Sequence, residues 1–437
     1  MNQDADNGDP DRRRYRDHRS GSDRNLAEEI RATLADGKTP EAIGPRTRLL
    51  NELRDAVQDQ LPDFQKWRNE ARSIKEDAID RLPELMDRVQ SVVESSGGSV
   101  YVAEDAEDAN EYIRSVCDER DVETAVKSKS MTTEEIELNE SLEASDVRVV
   151  ETDLGEFVAQ LAGERPSHII APILHKSTES IAEVFRRKLG LDPGPDPSPE
   201  TLTEMARDHL RTIYHEADLG ITGANFVLAE SGTVALVTNE GNARWSIEST
   251  DTFVAVAGVE KLIPSVRDLP PFFELLPRSG TGQAATSYFT MISPDRPDDR
   301  FNLIQGTERG ERDFHLVLLD NGRLEMAKDP VLREALYCIR CGACLNACAN
   351  YQSVGGHVYG GETYAGGIGN AWEAGVTGRE EAESFNDLCT GCSQCKPACP
   401  VKIDIPWMNT VIRDRLNREL DREDVEGCDV DVDAHRA

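Results

Sequence analysis

The spacing of apolar residues divides the chain into segments of different secondary structure. From Leu26 to about Ser95, apolar side chains recur every three or four residues, and glycines follow. This period is typical of amphipathic helices, so we expect a helical N-terminal segment over residues 26–96. Residues 1–25 have no such period and are rich in Asp, Arg, Asn and Gly, which predicts a disordered leader.

After this segment, short apolar runs alternate with helical stretches. The predicted strands are Val100–Ala103, Thr124–Val126, Val147–Val150, Ile169–Ala171, Phe226–Ala229, Thr233–Thr238, Phe253–Ala257 and Phe314–Leu319. The predicted helices between them include Glu107–Glu119, Thr132–Ala144 and Thr178–Leu189. Such alternation indicates βαβ units and a largely parallel sheet. The sequence therefore predicts an α/β domain over residues 97–328, with a proline-rich insert at Asp192–Pro199.

The rest of the chain is predicted to be helical and to carry most of the cysteines. We expect a cysteine-bearing domain over residues 329–407, then a charged helix and an acidic tail over 408–437. The first 25 residues lack the apolar core of a signal peptide, and the longest apolar runs are strand-sized. These features predict a cytoplasmic protein without a transmembrane segment.

The charge balance is strongly acidic. The chain of 437 residues has 82 Asp and Glu against 49 Lys and Arg, a formal net charge of −33. Such a surface repels nucleic acid and anionic membranes. Hydrophobic residues make up 38% of the chain, which excludes a wholly disordered acidic protein. In strong brine the Debye length falls to about 3 Å, so we interpret the acidity as halophilic adaptation.

Eight of the ten cysteines form two arrays of identical spacing. Cys338, Cys341, Cys344 and Cys348 follow the pattern C-x2-C-x2-C-x3-C, and Cys389, Cys392, Cys395 and Cys399 repeat it before a proline. In ferredoxins of this pattern the first three cysteines of one array bind one cluster and the fourth binds the other. The arrays therefore predict two [4Fe–4S] clusters.

Crossed ligation assigns four cysteines to each cluster. The first cluster takes Cys338, Cys341, Cys344 and Cys399, and the second takes Cys389, Cys392, Cys395 and Cys348. Zinc is the alternative, but it uses two cysteine pairs and leaves the third interval and the following proline unexplained. The first array departs from the pattern, because Ala349 stands where proline is frequent. We expect Cys117 to be a small buried hydrophobe.

Several longer motifs resemble a known family. The C-terminal ones are LYCIRCGACLNACANY, GGHVYG and CPVKIDIP, which resemble the iron–sulfur subunit of the lactate utilisation system, the LutB-like proteins. Upstream, VKSKSMTTEEIELNESLE, ETDLGEFVAQLAGERPSHIIAP, GITGANFVLAESGTVALVTNEGNARW and LLPRSGTGQAATSY resemble the LUD domain of the same proteins. The resemblance covers roughly residues 65–407.

The resemblance implies a fold, an activity and partners. It implies a LUD domain similar to the ribose-phosphate isomerase and formyltetrahydrofolate cyclo-ligase group, followed by an α-helical dicluster ferredoxin domain. It also implies a cytoplasmic iron–sulfur subunit that works with a cysteine-rich LutA-like subunit and a LUD-domain LutC-like subunit. Together these would oxidise L-lactate to pyruvate without NAD, and this subunit would be inactive alone.

Two lysines mark a candidate ligand site in the α/β domain. Lys127 and Lys129 follow a predicted strand and precede a helix that we expect to begin near Thr132. A helix N-terminus with two cations is suited to a carboxylate or phosphate. The alternative is structural: Thr132 and Glu135 form a capping box, and the lysines lie on its rim.

Loops after later strands supply further candidates. Glu230 lies in a turn between two apolar runs, and Asn242 and Arg244 belong to the segment 239–244 that follows the next strand. Parallel sheets bind ligands at the loops where strands end, although these are also ordinary turn residues. We expect Lys129, Glu230 and this segment to form a small anionic-ligand site. His175 and His357 are weaker candidates.

Two other functions remain open. One is a free-standing LUD-domain enzyme with structural clusters, and the other is a dicluster subunit of another organic acid dehydrogenase. Residues 220–225 (GITGAN) break the G-x-G-x-x-G fingerprint, so hydride transfer with NAD by this chain is not expected.

Overall fold

The computed structural model describes residues 24–294, 300–302, 307–309 and 312–419. The expected leader therefore lies almost entirely outside the described residues, and so does the acidic tail from residue 420 onward. Within the described part, no helix is both long enough and apolar enough to cross a membrane.

Four helices open the described chain, as the apolar spacing predicts. Their bounds are Leu26–Asp36 (α1), Lys38–Gln58 (α2), Phe64–Asp80 (α3) and Leu82–Ser95 (α4). Helix α4 buries Leu82, Leu85, Val89 and Val93 on one side. This stripe packs into the main hydrophobic core together with residues of both later domains. The N-terminal helices thus join the α/β domain to the cysteine-bearing domain.

A six-stranded parallel sheet forms the centre of the α/β domain. Its strands are Ser99–Ala103 (β1), Thr124–Lys127 (β2), Arg148–Glu151 (β3), Leu219–Thr222 (β4), Thr252–Gly258 (β7) and Asp313–Leu319 (β12). Their order is β1-β12-β7-β4-β2-β3, and every pair is parallel. Strand β7 is buried along its whole length, as expected for a parallel strand covered on both faces. The predicted α/β class is confirmed.

Smaller sheets lie beside the parallel one. The strands Phe226–Leu228 (β5), Thr233–Thr238 (β6), Leu262–Ile263 (β8) and Tyr288–Ile292 (β9) form a four-stranded sheet in the order β8-β5-β6-β9. A further pair consists of Arg300–Asn302 (β10) and Thr307–Arg309 (β11). The β5–β6 hairpin turns at Gly232, whose φ of 66° is in the left-handed region.

Helices cover the sheets and continue into the C-terminal region. Those of the α/β domain are Ala106–Glu119 (α5), Met131–Glu135 (α6), Leu138–Glu143 (α7), Leu154–Ala162 (α8), Thr178–Leu189 (α9), Pro199–Glu216 (α10), Asn242–Glu248 (α11) and Pro270–Gly280 (α12). Those that follow are Arg323–Lys328 (α13), Ala343–Asn346 (α14), Ala349–Val358 (α15), Gly366–Val376 (α16), Arg379–Asn386 (α17), Cys395–Ala398 (α18) and Ile405–Glu419 (α19). Cys117 is buried in α5, in line with its expected role as a small hydrophobe.

The expected strand Ile169–Ala171 was wrong. This apolar run is an irregular segment whose backbone is satisfied locally, because the N–H groups of Ile170 and Ala171 donate to His168 Nδ1 at 3.1 and 3.2 Å. Its apolar side chains pack in a cluster with residues of the cysteine-bearing domain, among them Leu345 and Tyr351. Apolar character here reflects a contact between domains and not a place in the sheet.

The expected helix Thr132–Ala144 was also corrected. It is two short helices, α6 and α7, separated at Glu137, whose φ of 49° is left-handed. Helix α6 begins one residue earlier than expected, with Ser130 as the N-cap accepting from the N–H of Thr133 at 3.2 Å. The capping box of Thr132 and Glu135 is therefore not formed.

We expect the fold to gain stability with salt. The 82 acidic side chains far outnumber the 49 basic ones, and their repulsion weakens as the screening length falls. The unfolding temperature should rise by several degrees between dilute buffer and molar sodium chloride. Sucrose at equal osmolality is the control, because it lacks ionic screening. A flat dependence on salt would contradict the halophilic interpretation.

Candidate functional site

The two cysteine arrays lie on loops with the same backbone pattern. In the first, Arg340 and Gly342 have φ values of 59° and 72°. In the second, Gly391 and Ser393 stand at the equivalent positions and have φ values of 66° and 64°. Left-handed residues at the same two places turn each loop tightly around its three cysteines. The repeated sequence spacing is thus matched by a repeated local conformation.

One cavity brings together cysteines from both arrays. Cys338, Cys341 and Cys344 of the first array line it together with Cys399 of the second. The other lining residues are almost all apolar: Ile169, Ile339, Gly342, Ile368, Pro400, Val401, Ile403 and Ile405. Ile169 comes from the irregular segment of the α/β domain, so both domains enclose the cavity.

Backbone N–H groups point at sulfur atoms of this cavity. The N–H of Arg340 donates to Cys338 Sγ at 3.4 Å, and the N–H of Ile403 donates to Cys399 Sγ at 3.3 Å. Burial raises the pKa of the Cys399 thiol to about 11, even though the N–H of Ile403 favours the thiolate. A thiolate set buried in apolar surroundings needs cationic charge to be stable, and iron held by these cysteines would supply it.

The other four cysteines form a second group. Cys348, which caps α15, interacts electrostatically with Cys392 and Cys389. Burial, together with the neighbouring Cys389, Cys348 and Cys392, raises the pKa of the Cys395 thiol to about 12. Cys392 is exposed, whereas Cys341 and Cys399 of the first group are buried. One group is therefore enclosed and the other reaches the surface.

The donor set fits iron–sulfur clusters. Among the described residues, no three Cys, His, Asp or Glu side chains converge on a single metal-ion position. The thiols instead surround an apolar cavity, and a cubane cluster is held by thiolates spread around its faces. Cys344 interacts electrostatically with Cys395 of the second group as well as with its own, so the two groups adjoin.

A buried ionic network connects the first cysteine loop to the parallel sheet. Glu260, two residues after the end of β7, is fully buried and accepts from Arg323 Nε at 2.7 Å. Arg340, within the first array, approaches the other oxygen of Glu260 at 3.5 Å. Arg323 also forms a bidentate pair with Glu135, at 2.8 and 2.7 Å. The Arg340 guanidinium stacks on Trp372, with its central carbon 3.8 Å from the ring centroid.

The loop between α8 and α9 covers the cavity from the other side. Glu164 accepts from His175 Nε2 at 2.9 Å and from Lys176 Nζ at 2.6 Å, which closes the base of the loop. Burial raises the pKa of Glu164, but these two partners outweigh it and bring that pKa to about 2. At the centre of the loop, His168 Nε2 lies 3.1 Å from Asn346 Oδ1, between Cys344 and Cys348 in sequence.

The two candidate lysines have different surroundings. Lys127 is completely buried and already paired, since its Nζ lies 2.6 Å from Glu151 Oε1 and 3.0 Å from Glu134 Oε1. Lys129 is half-buried, and its Nζ atom is buried without a hydrogen-bond partner. Lys127 is the last residue of β2 and Lys129 follows it, so both lie at the carboxyl edge of the parallel sheet.

The remaining candidates do not all share this edge. Glu230 lies beside the smaller sheet, where its carboxylate accepts from the N–H of Val266 at 2.7 Å. Arg244 stacks on Tyr288 of the same sheet, at 3.5 Å from the ring centroid. Asn242 opens α11, which packs against β2 and β4. The structure thus brings Asn242 toward the lysines and places Glu230 elsewhere.

His357 and His175 are in contact with each other. Their ring centroids are 4.8 Å apart, and His357 Nε2 lies 2.8 Å from the carbonyl oxygen of Arg165. Both histidines therefore help to hold the loop over the cysteine-bearing domain. Sequence reasoning missed Glu156 and His168, which lie near Lys129 but belong to no recognisable motif.

Two protein families match the chain. The LUD domain matches residues 86–319, more than half of the chain. The 4Fe-4S dicluster domain matches residues 334–403 and contains all eight cysteines of the arrays.

Curated relatives match most of the chain. Lactate utilization protein B of Shouchella clausii is 38% identical over 385 residues, which cover 88% of this chain and 79% of the relative. That of Geobacillus kaustophilus is 41% identical over 353 residues, covering 80% of this chain and 72% of the relative. A solved DUF162 family protein from Deinococcus radiodurans is 12% identical, with a TM-score of 0.27, and is matched over 55% of this chain and 98% of its own.

Proposed function

Since this chain, with its LUD domain and its 4Fe-4S dicluster domain, belongs to the same family as the lactate utilization B proteins, we propose that it is the electron-transfer subunit of a multi-subunit system that oxidises L-lactate to pyruvate. In this role it is not an NAD-dependent enzyme and is inactive alone. A cysteine-rich LutA-like subunit and a LUD-domain LutC-like subunit are its proposed partners.

The cavity shared by the two arrays carries this proposal. Three cysteines of the first loop and Cys399 of the second face the same space, which is the set that crossed ligation requires. Cys348 lies with the three cysteines of the second loop, which completes the complementary set. Two [4Fe–4S] clusters bound by these thiols would supply one-electron transfer.

The two cysteine groups differ in exposure, which indicates where electrons would enter or leave the chain. The first cysteine group is enclosed by Ile169 and other apolar side chains of both domains. The second group borders solvent, because Cys392 and the residues next to it, from Thr390 to Gln394, are exposed. A partner subunit can approach this exposed loop closely, whereas Cys341 and Cys399 of the first group are buried. We therefore place the contact with an electron-exchanging partner at the second loop.

The proposal predicts about eight irons per chain. The chain should be purified anaerobically, assayed for iron and sulfide, and reduced for low-temperature EPR, where two adjacent reduced clusters are expected to broaden each other's signals. Lactate oxidation should require the assembled three-subunit complex. Zinc in place of iron would contradict the cluster assignment, and lactate oxidation by the isolated chain would favour a LUD-domain enzyme.

A further inference from the structure

Several buried side-chain atoms at the carboxyl edge of the parallel sheet, Glu151 Oε2 among them, have no hydrogen-bond partner within the described part of the chain. Two of these atoms belong to side chains that interact electrostatically with each other. One is Lys129 Nζ, and the other is Oε1 of Glu156, which lies in the first turn of α8 and is only 3% exposed. The neighbouring Lys127 differs, because its ammonium forms ion pairs with two carboxylates. A buried polar atom left unpaired destabilises the folded chain, and more so when it is charged. These two atoms therefore need an explanation.

Lys129 and Glu156 are close but not paired with each other. They interact electrostatically, and burial together with the nearby carboxylate of Glu134 raises the pKa of Glu156 well above its ordinary value. No ion pair joins Lys129 and Glu156, although a separation as long as 3.9 Å still joins Lys261 to Glu260. The two side chains are therefore near each other without direct contact, and a small polar group between them would accept from the ammonium and be bound by the carboxyl.

His168 closes the site on the side of the cysteines. Its Nδ1 accepts from two backbone N–H groups, so its Nε2 carries the hydrogen and donates to Asn346 Oδ1. Burial, together with the charge of Lys129, lowers the pKa of His168 to about 4. The imidazole is therefore neutral and fully engaged, and it does not compete for an anion bound to Lys129.

We propose that Lys129 and Glu156 bind a small 2-hydroxy acid. Its carboxylate would accept from Lys129 Nζ, and its hydroxyl would hydrogen-bond to Glu156 Oε1. Because the carboxylate and hydroxyl of such a molecule are on adjacent carbons, one ligand would supply a partner to both atoms, with hydrogen bonds of about 2.8 Å. This inference rests on the proposed function, which identifies lactate as the acid to be oxidised.

The surrounding charges favour a monoanion over a phosphorylated ligand. Glu134 and Glu151 lie near Glu156, and Glu240 lies near Lys129. Burial and the neighbouring Asp153 raise the pKa of Glu240 to about 7, which indicates an acidic environment. A doubly charged phosphate would be repelled here, whereas a single carboxylate facing Lys129 would be tolerated.

The location links the ligand to the first cysteine group. Lys129 adjoins His168, and His168 is hydrogen-bonded to Asn346, which is on the same short helix as Cys344. The acid would thus be held at the boundary between the LUD domain and the cysteine-bearing domain, on the enclosed side. The exposed second loop remains free for a partner.

Calorimetry on the full iron-loaded chain tests the site. L-lactate is compared with propionate, which lacks the hydroxyl, and with inorganic phosphate. We expect lactate to bind about tenfold more tightly than propionate, and phosphate to bind least. Lys129→Met should weaken lactate binding about tenfold or more. Glu156→Gln should reduce the preference for lactate over propionate, while Lys38→Met, at an exposed position, should change neither.

The outcomes separate this inference from the proposed function. Iron content, EPR spectrum and unfolding temperature are measured for each variant. If lactate does not bind to iron-loaded wild type, or binds equally well to a folded Lys129→Met variant, the ligand site is wrong and the electron-transfer role stands. If Lys129→Met fails to fold, the test is the preference for lactate over propionate, measured for wild type and for Glu156→Gln. Equal binding of lactate and propionate by wild type overturns the site. Absence of iron from anaerobically prepared wild type overturns the proposed function itself.

Discussion

Replacing Cys399 by serine is expected to remove about four of about eight irons and to disturb the cluster held by the first loop, not the one held by its own loop. The reason is geometric, because Cys399 lines the cavity of Cys338, Cys341 and Cys344. Cys348→Ser should have the complementary effect on the second loop. Iron assay and EPR of the reduced variants provide the measurement.

Matched variants identify which cluster each change affects. The EPR spectrum of Cys399→Ser should resemble that of Cys341→Ser, and the spectrum of Cys348→Ser should resemble that of Cys392→Ser. Cys117→Ser is the control, because Cys117 is buried in α5 and belongs to neither array. If the spectra paired within each array instead, ligation would be uncrossed.

Glu260→Gln is expected to destabilise the chain by about 3–5 kcal/mol, because it leaves buried cations without their counter-charge. Arg323 Nε lies 2.7 Å from the Glu260 carboxylate, and Lys261 and Arg340 lie within 3.9 Å of it. Glu260 is completely buried, so water does not replace the lost charge. Unfolding by denaturant, followed by far-UV circular dichroism, measures the effect.

An exposed pair and a pH series serve as controls for Glu260. Glu325 pairs with Lys328 at the surface, so Glu325→Gln should change stability by less than about 1 kcal/mol. Burial raises the pKa of Glu260, but Arg323 and the other cations outweigh it and bring that pKa to about 2. Because the folded pKa is below the ordinary value of 4.5, this stabilisation is present above about pH 4.5 and is lost as pH falls toward 2. The difference between wild type and Glu260→Gln should therefore shrink on acidification, and a constant difference would contradict the ionic explanation.

Local patterns predicted the features that depend on neighbouring residues in the chain. The arrays can be predicted because three cysteines of each array lie within one tight loop, and the repeated left-handed residues show that the loops have the same conformation. The parallel sheet can be predicted because buried strands such as β7 and β12 are continuous apolar runs between helices. Both features can therefore be predicted without any knowledge of long-range contacts.

Other features depend on contacts between distant segments and left no local pattern. Ile169–Ala171 has the composition of a strand, yet its side chains are buried against the cysteine-bearing domain. Glu156 and His168 reach the neighbourhood of Lys129 from segments far along the chain. The Glu260–Arg323–Arg340 network likewise joins three separated segments. From the sequence alone, these charged residues would be expected at the surface. Only the fold identifies these groups as buried.

The strand order also constrains how the polypeptide is made. β12 is the last strand of the parallel sheet in the sequence, yet it lies inside the sheet between β1 and β7. Until residue 319 has left the ribosome, β1 has no neighbour and β7 presents an unpaired apolar edge. Such an edge is prone to aggregate, so the nascent chain is expected to need chaperone protection between the completion of β7 and that of β12. The cysteine arrays emerge only after β12, when all six strands of the sheet are available to pair.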